Sequence, residues 1–392
     1  MTRDKAEIIL DRCVEYLLYA MIVFIPISIA IIEITFSLAL LCFLIKKILR
    51  PDFRFVKNPT HLFLFLFFGF CALSLFNSEI YLTKSLKALF FKWFEYIFIF
   101  IVVEDTLNTP KRLRNAIFIL LAVSSLIAID GIFQQFRGID FLRHRGMMGG
   151  RITATFQNQN DLAAYLVPLA LLSVSLGFLP QAKKQYRWIP VFLGILLCIC
   201  LILTFSRGAW LGFLVGLFLL AFLSKEAKVF IFLICILFVF ISVPVLRQRV
   251  SYTFLPGGDS QRIFIIQTAW LIIKENPFLG KGLGTFMDYF PQYAGISDAY
   301  YVHNCYLQIW AETGVFSLLS FLGFLGLLLS KGIKIFKKNQ DFILLGLICG
   351  IFGFLIHSFF DTQLYSLQLA VLFWFMAGLN ISLQRTIIAK NK

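Results

Sequence analysis

The sequence predicts an all-α protein that crosses a membrane about twelve times, on the basis of three observations. Hydrophobic residues make up 59% of the 392 residues and charged residues only 15%, whereas about 25% of a soluble domain is charged. Apolar stretches recur along the whole chain, each close to the roughly 20 residues that a membrane helix needs. Lysine and arginine collect in alternate connections between these stretches. A soluble globular fold is therefore excluded.

Two of the apolar stretches are too long for one membrane helix. The stretch from Tyr16 to Ile45 would form about 45 Å of helix, so we divide it near Glu33. The stretch from Ile189 to Leu223 is divided into a tight hairpin with Arg207 at its tip. The predicted spans are about 16–30, 33–45, 61–77, 86–103, 115–136, 161–179, 189–205, 208–223, 229–246, 308–329, 342–359 and 363–383.

The basic residues predict the orientation of these spans, because lysine and arginine accumulate in short cytoplasmic loops. The run Lys331, Lys334, Lys337 and Lys338 is one such connection. Both termini are also basic, and the pattern places both in the cytoplasm. The predicted organisation is nine spans with an outer loop at 137–160 (residues 1–246), an outer-loop domain (247–305), and three spans with a cytoplasmic tail (306–392).

The outer loops should be poor in basic residues but contain a cluster of arginines. Guanidinium groups can bind phosphate with two hydrogen bonds at once, so a cluster beside the membrane favours a lipid that carries a diphosphate. The alternative is that these arginines contact anionic lipid headgroups. The arginines are Arg137, Arg143, Arg145, Arg151, Arg207, Arg247, Arg249 and Arg262.

The outer loop 247–305 is long enough to form structure of its own. Residues 257–260 predict a turn and an N-cap. Residues 262–274 then predict an amphipathic helix lying on the membrane, with apolar Ile263, Ile266, Trp270 and Ile273 on one face. Residues 280–284 (GKGLG) lack the order of a phosphate-binding P-loop and predict a flexible turn. Tyrosines follow, suited to a membrane interface or to sugar rings: Tyr289, Tyr293, Tyr300 and Tyr301.

His303 joins this outer loop to a predicted membrane helix. A neutral imidazole can accept a proton from a sugar hydroxyl near pH 7, as glycosyl transfer requires. A purely structural histidine is the alternative. No metal site is predicted, because the outer-loop acids are scattered, whereas Mg²⁺ needs several oxygen ligands together. These acids are Asp259, Glu275, Asp288 and Asp298.

Several short motifs occur in one order along the chain. Together with the span count and the large outer loop, they make the chain resemble the O-antigen ligases and related polymerases of bacterial surface-polysaccharide synthesis. The resemblance covers nearly the whole chain, with mild departures at Ile266 and Ser317 that leave ligase and polymerase both open. The motifs are 156–160 (FQNQN), 206–212 (SRGAWLG), the helix at Arg262 with 276–284 (NPFLGKGLG), and 303–314 (HNCYLQIWAETG).

The resemblance implies a GT-C-like fold in the bacterial inner membrane, with the active site at the periplasmic face. It implies that Arg207 and Arg262 bind the diphosphate of an undecaprenyl-diphosphate-linked glycan and that His303 is catalytic. The implied reaction is inverting, independent of metal and cofactor, and transfers the glycan to a lipid A-core hydroxyl. Further candidates for substrate binding are Arg145, Arg151, Asn158, Asn160 and Asn304.

Other functions remain open from the sequence. A polysaccharide polymerase or a protein O-oligosaccharyltransferase would use the same chemistry with another acceptor. A membrane transporter is an alternative of another class, but transporters place ionisable residues near the membrane midplane, where this sequence has few. Membrane lipids are expected partners, and nucleic acid is not.

Overall fold

The computed structural model describes residues 3–52, 59–78, 81–177, 188–252 and 260–391, and within them it is helical with only two isolated β-bridges. The turn predicted at residues 257–259 lies outside the described residues. The helices are α1 (Arg3–Phe24), α2 (Ile29–Leu49), α3 (Pro59–Leu73), α4 (Leu82–Ala88), α5 (Phe94–Thr106), α6 (Pro110–Arg137), α7 (Gln159–Gly177), α8 (Trp188–Leu203), α9 (Arg207–Ser224), α10 (Ala227–Ser242), α11 (Pro244–Ser251), α12 (Ser260–Glu275), α13 (Phe286–Ala294), α14 (Cys305–Asn339), α15 (Phe342–His357) and α16 (Leu367–Lys390).

Seven of the described helices are long and apolar enough to cross a membrane. The number becomes eight if α10 and α11, which meet at a bend of 83°, form one broken span. Helices α8 and α15 are apolar but shorter, at 16 residues each. The chain is therefore a polytopic α-helical membrane protein, and the figure of twelve spans stays a prediction.

The break predicted near Glu33 was wrong. Helix α1 ends at Phe24 and α2 begins at Ile29, so Glu33 lies within α2. The interruption coincides with Pro26. Proline has no backbone N–H for an intrahelical bond, and its ring clashes with the preceding turn. The sequence carried this signal about two helical turns before Glu33.

The predicted hairpin at Arg207 is confirmed, since α8 ends at Leu203 and α9 begins at Arg207. Small residues on α9 bring it against α15. A Cβ atom added to Gly212 would lie 2.5 Å from the carbonyl oxygen of Gly353, and one added to Gly208 would lie 2.7 Å from Phe360. Close backbone approach through small residues is a common mode of helix packing in membranes. It fixes the start of α9 beside the end of α15.

The segment between α10 and α14 contains a separate hydrophobic cluster. Ile265, Ala269 and Ile272 of α12 pack with Phe286 and Phe290 of α13. Helix α12 spans the predicted amphipathic helix. Its predicted apolar face points largely away from this cluster. The exposed fractions of these residues are 57% for Ile263, 41% for Ile266 and 42% for Trp270, whereas Ile273 is buried.

The glycine-rich turn at 280–284 is fastened to a kink in α14. The amide of Gly282 donates to the backbone carbonyl oxygen of Glu312 (2.9 Å), and the amide of Gly284 donates to the carboxylate of the same residue (2.8 Å). Two residues later Gly314 has φ 82° and ψ 172°, a conformation essentially limited to glycine. The turn and α14 are therefore positioned by each other.

We expect Gly314→Ala to destabilise the protein strongly. Its Cβ would lie 1.9 Å from the carbonyl oxygen of Phe278, and the backbone conformation alone costs about 1–3 kcal/mol for other residues. Gly326→Ala on the same helix is the matched control, because its Cβ would meet nothing within 4 Å. Thermal unfolding in detergent measures both variants. Equal melting temperatures for the two would show that the kink is not required.

Candidate functional site

The hairpin tip holds Arg207 in a fixed position. Phe205 has a positive φ of 52°, which turns the chain between α8 and α9. The indole of Trp210 donates to the carbonyl oxygen of Leu201 (3.1 Å), tying the first turn of α9 back to α8. The Arg207 guanidinium then lies over the ring of Tyr252, 5.8 Å from its centroid. The motif at 206–212 therefore builds a rigid support for one arginine.

Four arginines from separate segments line one small cavity of about 100 Å³, called here the arginine cavity. Arg151 comes from the loop before α7, Arg207 from α9, Arg249 from α11 and Arg262 from α12. Its described lining includes no aspartate or glutamate. The remaining lining residues are Asn160, Phe205, Ser206, Gly208, His357 and Phe360.

Repulsion among these arginines is visible at Arg151. Burial, followed by the charges of Arg249, Arg207 and Arg262, lowers the pKa of its guanidinium below the ordinary value. An anion in the cavity would offset this repulsion. A diphosphate would provide several oxygen atoms for the planar guanidinium forks, which bind such groups with paired hydrogen bonds.

His357 adds a neutral group to the wall of the arginine cavity. Its side chain is 1% exposed, and among the described residues its Nδ1 has no hydrogen-bond partner. Buried polar atoms are usually hydrogen-bonded. An unsatisfied imidazole nitrogen beside four arginines is therefore consistent with a polar ligand in this cavity.

His303 forms a hydrogen-bonded pair with Asp361 near the arginine cavity. The distance between His303 Nδ1 and Asp361 Oδ1 is 3.1 Å. Burial favours the neutral form of Asp361, but the hydrogen bond and charge of His303 outweigh it, so the Asp361 pKa lies below its ordinary value. With Nδ1–H donating to the carboxylate, Nε2 keeps a lone pair. That nitrogen can accept a proton.

Asp361 is held against the start of α14. The amide of Cys305 donates to the carbonyl oxygen of Ser358 (2.9 Å), and the thiol of Cys305 donates to that of Asp361 (3.3 Å). His357 and Phe360, just before Asp361, line the arginine cavity, although His303 itself is not among the lining residues. The imidazole of His303 is thus connected to the wall of the arginine cavity through Asp361, its hydrogen-bond partner.

The other candidate residues separate into two groups. Arg151 and Asn160 lie in the arginine cavity with Arg207 and Arg262. Asn158 and Asn304 accept hydrogen bonds from backbone amides at the starts of α7 and α14, which is the role of an N-cap. Arg145 lies outside the cavity, and its amide donates to Asp140. Binding roles for these three remain predictions.

Sequence reasoning did not single out Arg249, His357 or Asp361 as site residues. Arg249 was named only as one of the outer-loop arginines. It lies two residues from Arg247 in α11, and the sequence gives no reason to expect a binding role for one rather than the other. Asp361 lies 58 residues from His303 in the chain. No local motif relates residues so far apart.

Residues 192–322 match the family model described as O-antigen ligase. This match, over about a third of the chain, supports membership of the O-antigen ligase family. The matched region contains Arg207, Arg262 and His303, whereas Arg151, Asn160 and Asp361 lie outside it. No curated protein is matched by this chain. The O-antigen ligase family consists of membrane glycosyltransferase-like ligases and polymerases, and nothing in these comparisons supports a transporter.

Proposed function

We propose that this chain belongs to the O-antigen ligase family and transfers a glycan from undecaprenyl diphosphate to a hydroxyl group of a lipid A-core acceptor. In this proposal the reaction takes place at the periplasmic face of the bacterial inner membrane. The observation that carries it is the convergence of Arg151, Arg207, Arg249 and Arg262 in one cavity, beside a segment that holds an imidazole–carboxylate pair.

The arginine cavity suits the diphosphate of the donor. As the bond between the anomeric carbon and the diphosphate oxygen breaks, negative charge grows on that oxygen. Preorganised positive groups around developing charge usually make the largest contribution to catalysis. The lipid tail would lie among the apolar helices, outside the cavity.

His303 supplies the proton acceptor in this mechanism. Its Nε2 takes the proton of the acceptor hydroxyl while the hydroxyl oxygen bonds to the anomeric carbon. The electron pair of the broken bond leaves with undecaprenyl diphosphate. Asp361 acts as a positioning residue, because its bond to Nδ1 (3.1 Å) sets the tautomer of His303 and favours the charged imidazole. A single displacement of this kind inverts the anomeric configuration.

The proposed reaction needs no metal ion, because the arginines take the place of the cation. Among the residues that the structure describes, no three His, Cys, Asp or Glu side chains group together as metal ligands. A polymerase or a protein O-oligosaccharyltransferase would use the same donor chemistry. The acceptor distinguishes these alternatives from a ligase.

The test is glycan transfer by the purified protein in liposomes that contain the lipid-diphosphate glycan. Three acceptors are compared in parallel: a lipid A-core, a second lipid-linked glycan and a serine-containing peptide. We expect product only with the lipid A-core, inverted at the anomeric carbon by NMR. We also expect the rate to be the same with and without EDTA.

Each contrary result removes a specific part of the proposal. Product with the second lipid-linked glycan alone would indicate a polymerase, and product with the peptide a protein transferase. Loss of activity in EDTA and recovery with Mg²⁺ would contradict the role given to the arginines. Absence of transfer to all three acceptors would contradict the proposed activity as a whole.

A further inference from the structure

A second, larger cavity is lined in part by residues that lie close in the chain to His303 and Asp361. Its volume is about 560 Å³, within the range of roughly 300–1,000 Å³ that is usual for small-molecule sites. It is called here the lysine cavity, because Lys84, Lys87 and Lys92 line it. Trp93 and Tyr301 are among its aromatic lining residues.

One short segment lines both cavities. His357 and Phe360 border the arginine cavity, whereas Leu364 and Tyr365 border the lysine cavity. Asp361 lies between these two pairs in the chain and binds His303 at 3.1 Å. Tyr301, which precedes His303 by two residues in the chain, also lines the lysine cavity. The imidazole is thus joined to the walls of both cavities.

A local irregularity in the helix shapes the lysine side of this cavity. Residues Leu89–Trp93 form a π-helical turn between α4 and α5. Such turns insert an extra residue into a helix and occur often at functional sites. Ala88, Phe91, Lys92 and Trp93, at this turn, all border the cavity.

The charges of the lysine cavity favour an anionic ligand. Lys84 is paired with Asp288 at 2.5 Å, whereas Lys87 and Lys92 are exposed and have no ion-pair partner among the described residues. Of the two lining carboxylates, Glu312 accepts from the amides of Gly284 (2.8 Å) and Phe286 (3.3 Å). Glu33 is the other. Lys87 and Lys92 are therefore available to an incoming anion.

We propose that the lysine cavity binds the acceptor, a glycolipid whose sugars carry phosphate or carboxylate groups. Lys87 and Lys92 bind these anionic groups, and the exposed rings of Phe91 and Tyr301 offer flat apolar surfaces to sugar rings. The acceptor hydroxyl then reaches His303 while the donor diphosphate occupies the arginine cavity. This inference rests on the proposed glycosyl transfer and assigns its second substrate.

The test compares substrate dependence in a double variant, Lys87→Gln with Lys92→Gln. We expect the KM for a phosphorylated lipid A-core to rise by about tenfold or more, as expected for loss of hydrogen bonds to charged groups. The KM for the lipid-diphosphate donor should stay at the wild-type value. After phosphatase treatment of the acceptor, wild type and variant should have similar KM values.

Two further variants separate charge from folding. The double variant Lys87→Arg with Lys92→Arg keeps both charges and should retain an acceptor KM within a few-fold of wild type. Lys274→Gln removes an exposed lysine of α12 outside the cavity and should change neither KM. An unchanged acceptor KM in the glutamine double variant would overturn the proposal, as would a rise in the donor KM alone.

Binding without turnover distinguishes this inference from the proposed function. Native mass spectrometry measures retention of the phosphorylated lipid A-core and of phosphatidylglycerol by wild type and by the glutamine double variant. Selective loss of the glycolipid in the variant would support the acceptor site even if no transfer occurred, in which case the proposed function alone would fail. Equal loss of phosphatidylglycerol would show a general headgroup site and overturn the inference.

Discussion

Replacing His303 with asparagine should lower the rate of glycan transfer by about 10²- to 10⁴-fold, the usual contribution of a general base. The amide cannot accept the proton of the acceptor hydroxyl. Asparagine tolerates a left-handed backbone, and His303 has φ 54°, so the fold should be retained. Donor affinity, measured by binding to the lipid-diphosphate glycan, should stay close to wild type because the imidazole is outside the arginine cavity.

His144→Asn is a closely matched control. His144 has the same φ of 54° and is exposed, and it lines neither cavity. The two substitutions therefore make the same chemical change on the same kind of backbone. Full transfer by His303→Asn, or an equal loss in both variants, would remove the imidazole from the mechanism.

The pairing of His303 with Asp361 extends this prediction. Asp361→Asn should also slow transfer. The neutral side-chain amide of asparagine, unlike the carboxylate of Asp361, neither stabilises the charged imidazole nor sets its tautomer. If Asp361 acts through His303, the double variant should be little slower than His303→Asn alone. Fully additive losses would mean that the two residues act independently.

Most of the helical architecture could be predicted from the sequence, because membrane helices need long apolar stretches. The Arg207 hairpin followed from the length of its apolar stretch, and α12 followed from an N-cap and amphipathic spacing. The break at Pro26 was misplaced because a charged residue within an apolar stretch was given more weight than proline. The kink at Gly314 was not predicted, since its reason is contact with Phe278, which lies 36 residues earlier in the chain.

The candidate site could be predicted only in part for a similar reason. Residue type and loop position selected Arg207, Arg262 and His303, but could not show which other arginine joins them. Arg249 and Arg247 differ in whether they face the cavity, and that depends on the 83° bend between α10 and α11. The second cavity depends on α4, α14 and the segment after α15 meeting in space.

Arg207→Gln and Arg262→Gln should each lower kcat/KM for the donor by about 10²- to 10³-fold, comparable to loss of one preorganised group that stabilises developing charge. Both kcat and donor KM should change, because the diphosphate is bound in the ground state and gains charge during the reaction. Arg207→Lys should restore only part of the activity, since an ammonium group lacks the planar fork for two parallel bonds. The acceptor KM should be unaffected. Steady-state kinetics with each substrate varied in turn measures these effects.

Arg249 and Arg247 provide the sharpest control for this role of arginine. They lie two residues apart on α11, and only Arg249 lines the arginine cavity. If the arginine cavity binds the diphosphate, Arg249→Gln should raise the donor KM. Arg247→Gln removes the same charge from the exposed side of α11 and should leave the donor KM unchanged. A general attraction of the anionic donor to a basic surface would instead make the two variants equal. Equal effects would therefore argue against a specific diphosphate site, even if Arg207 and Arg262 proved essential.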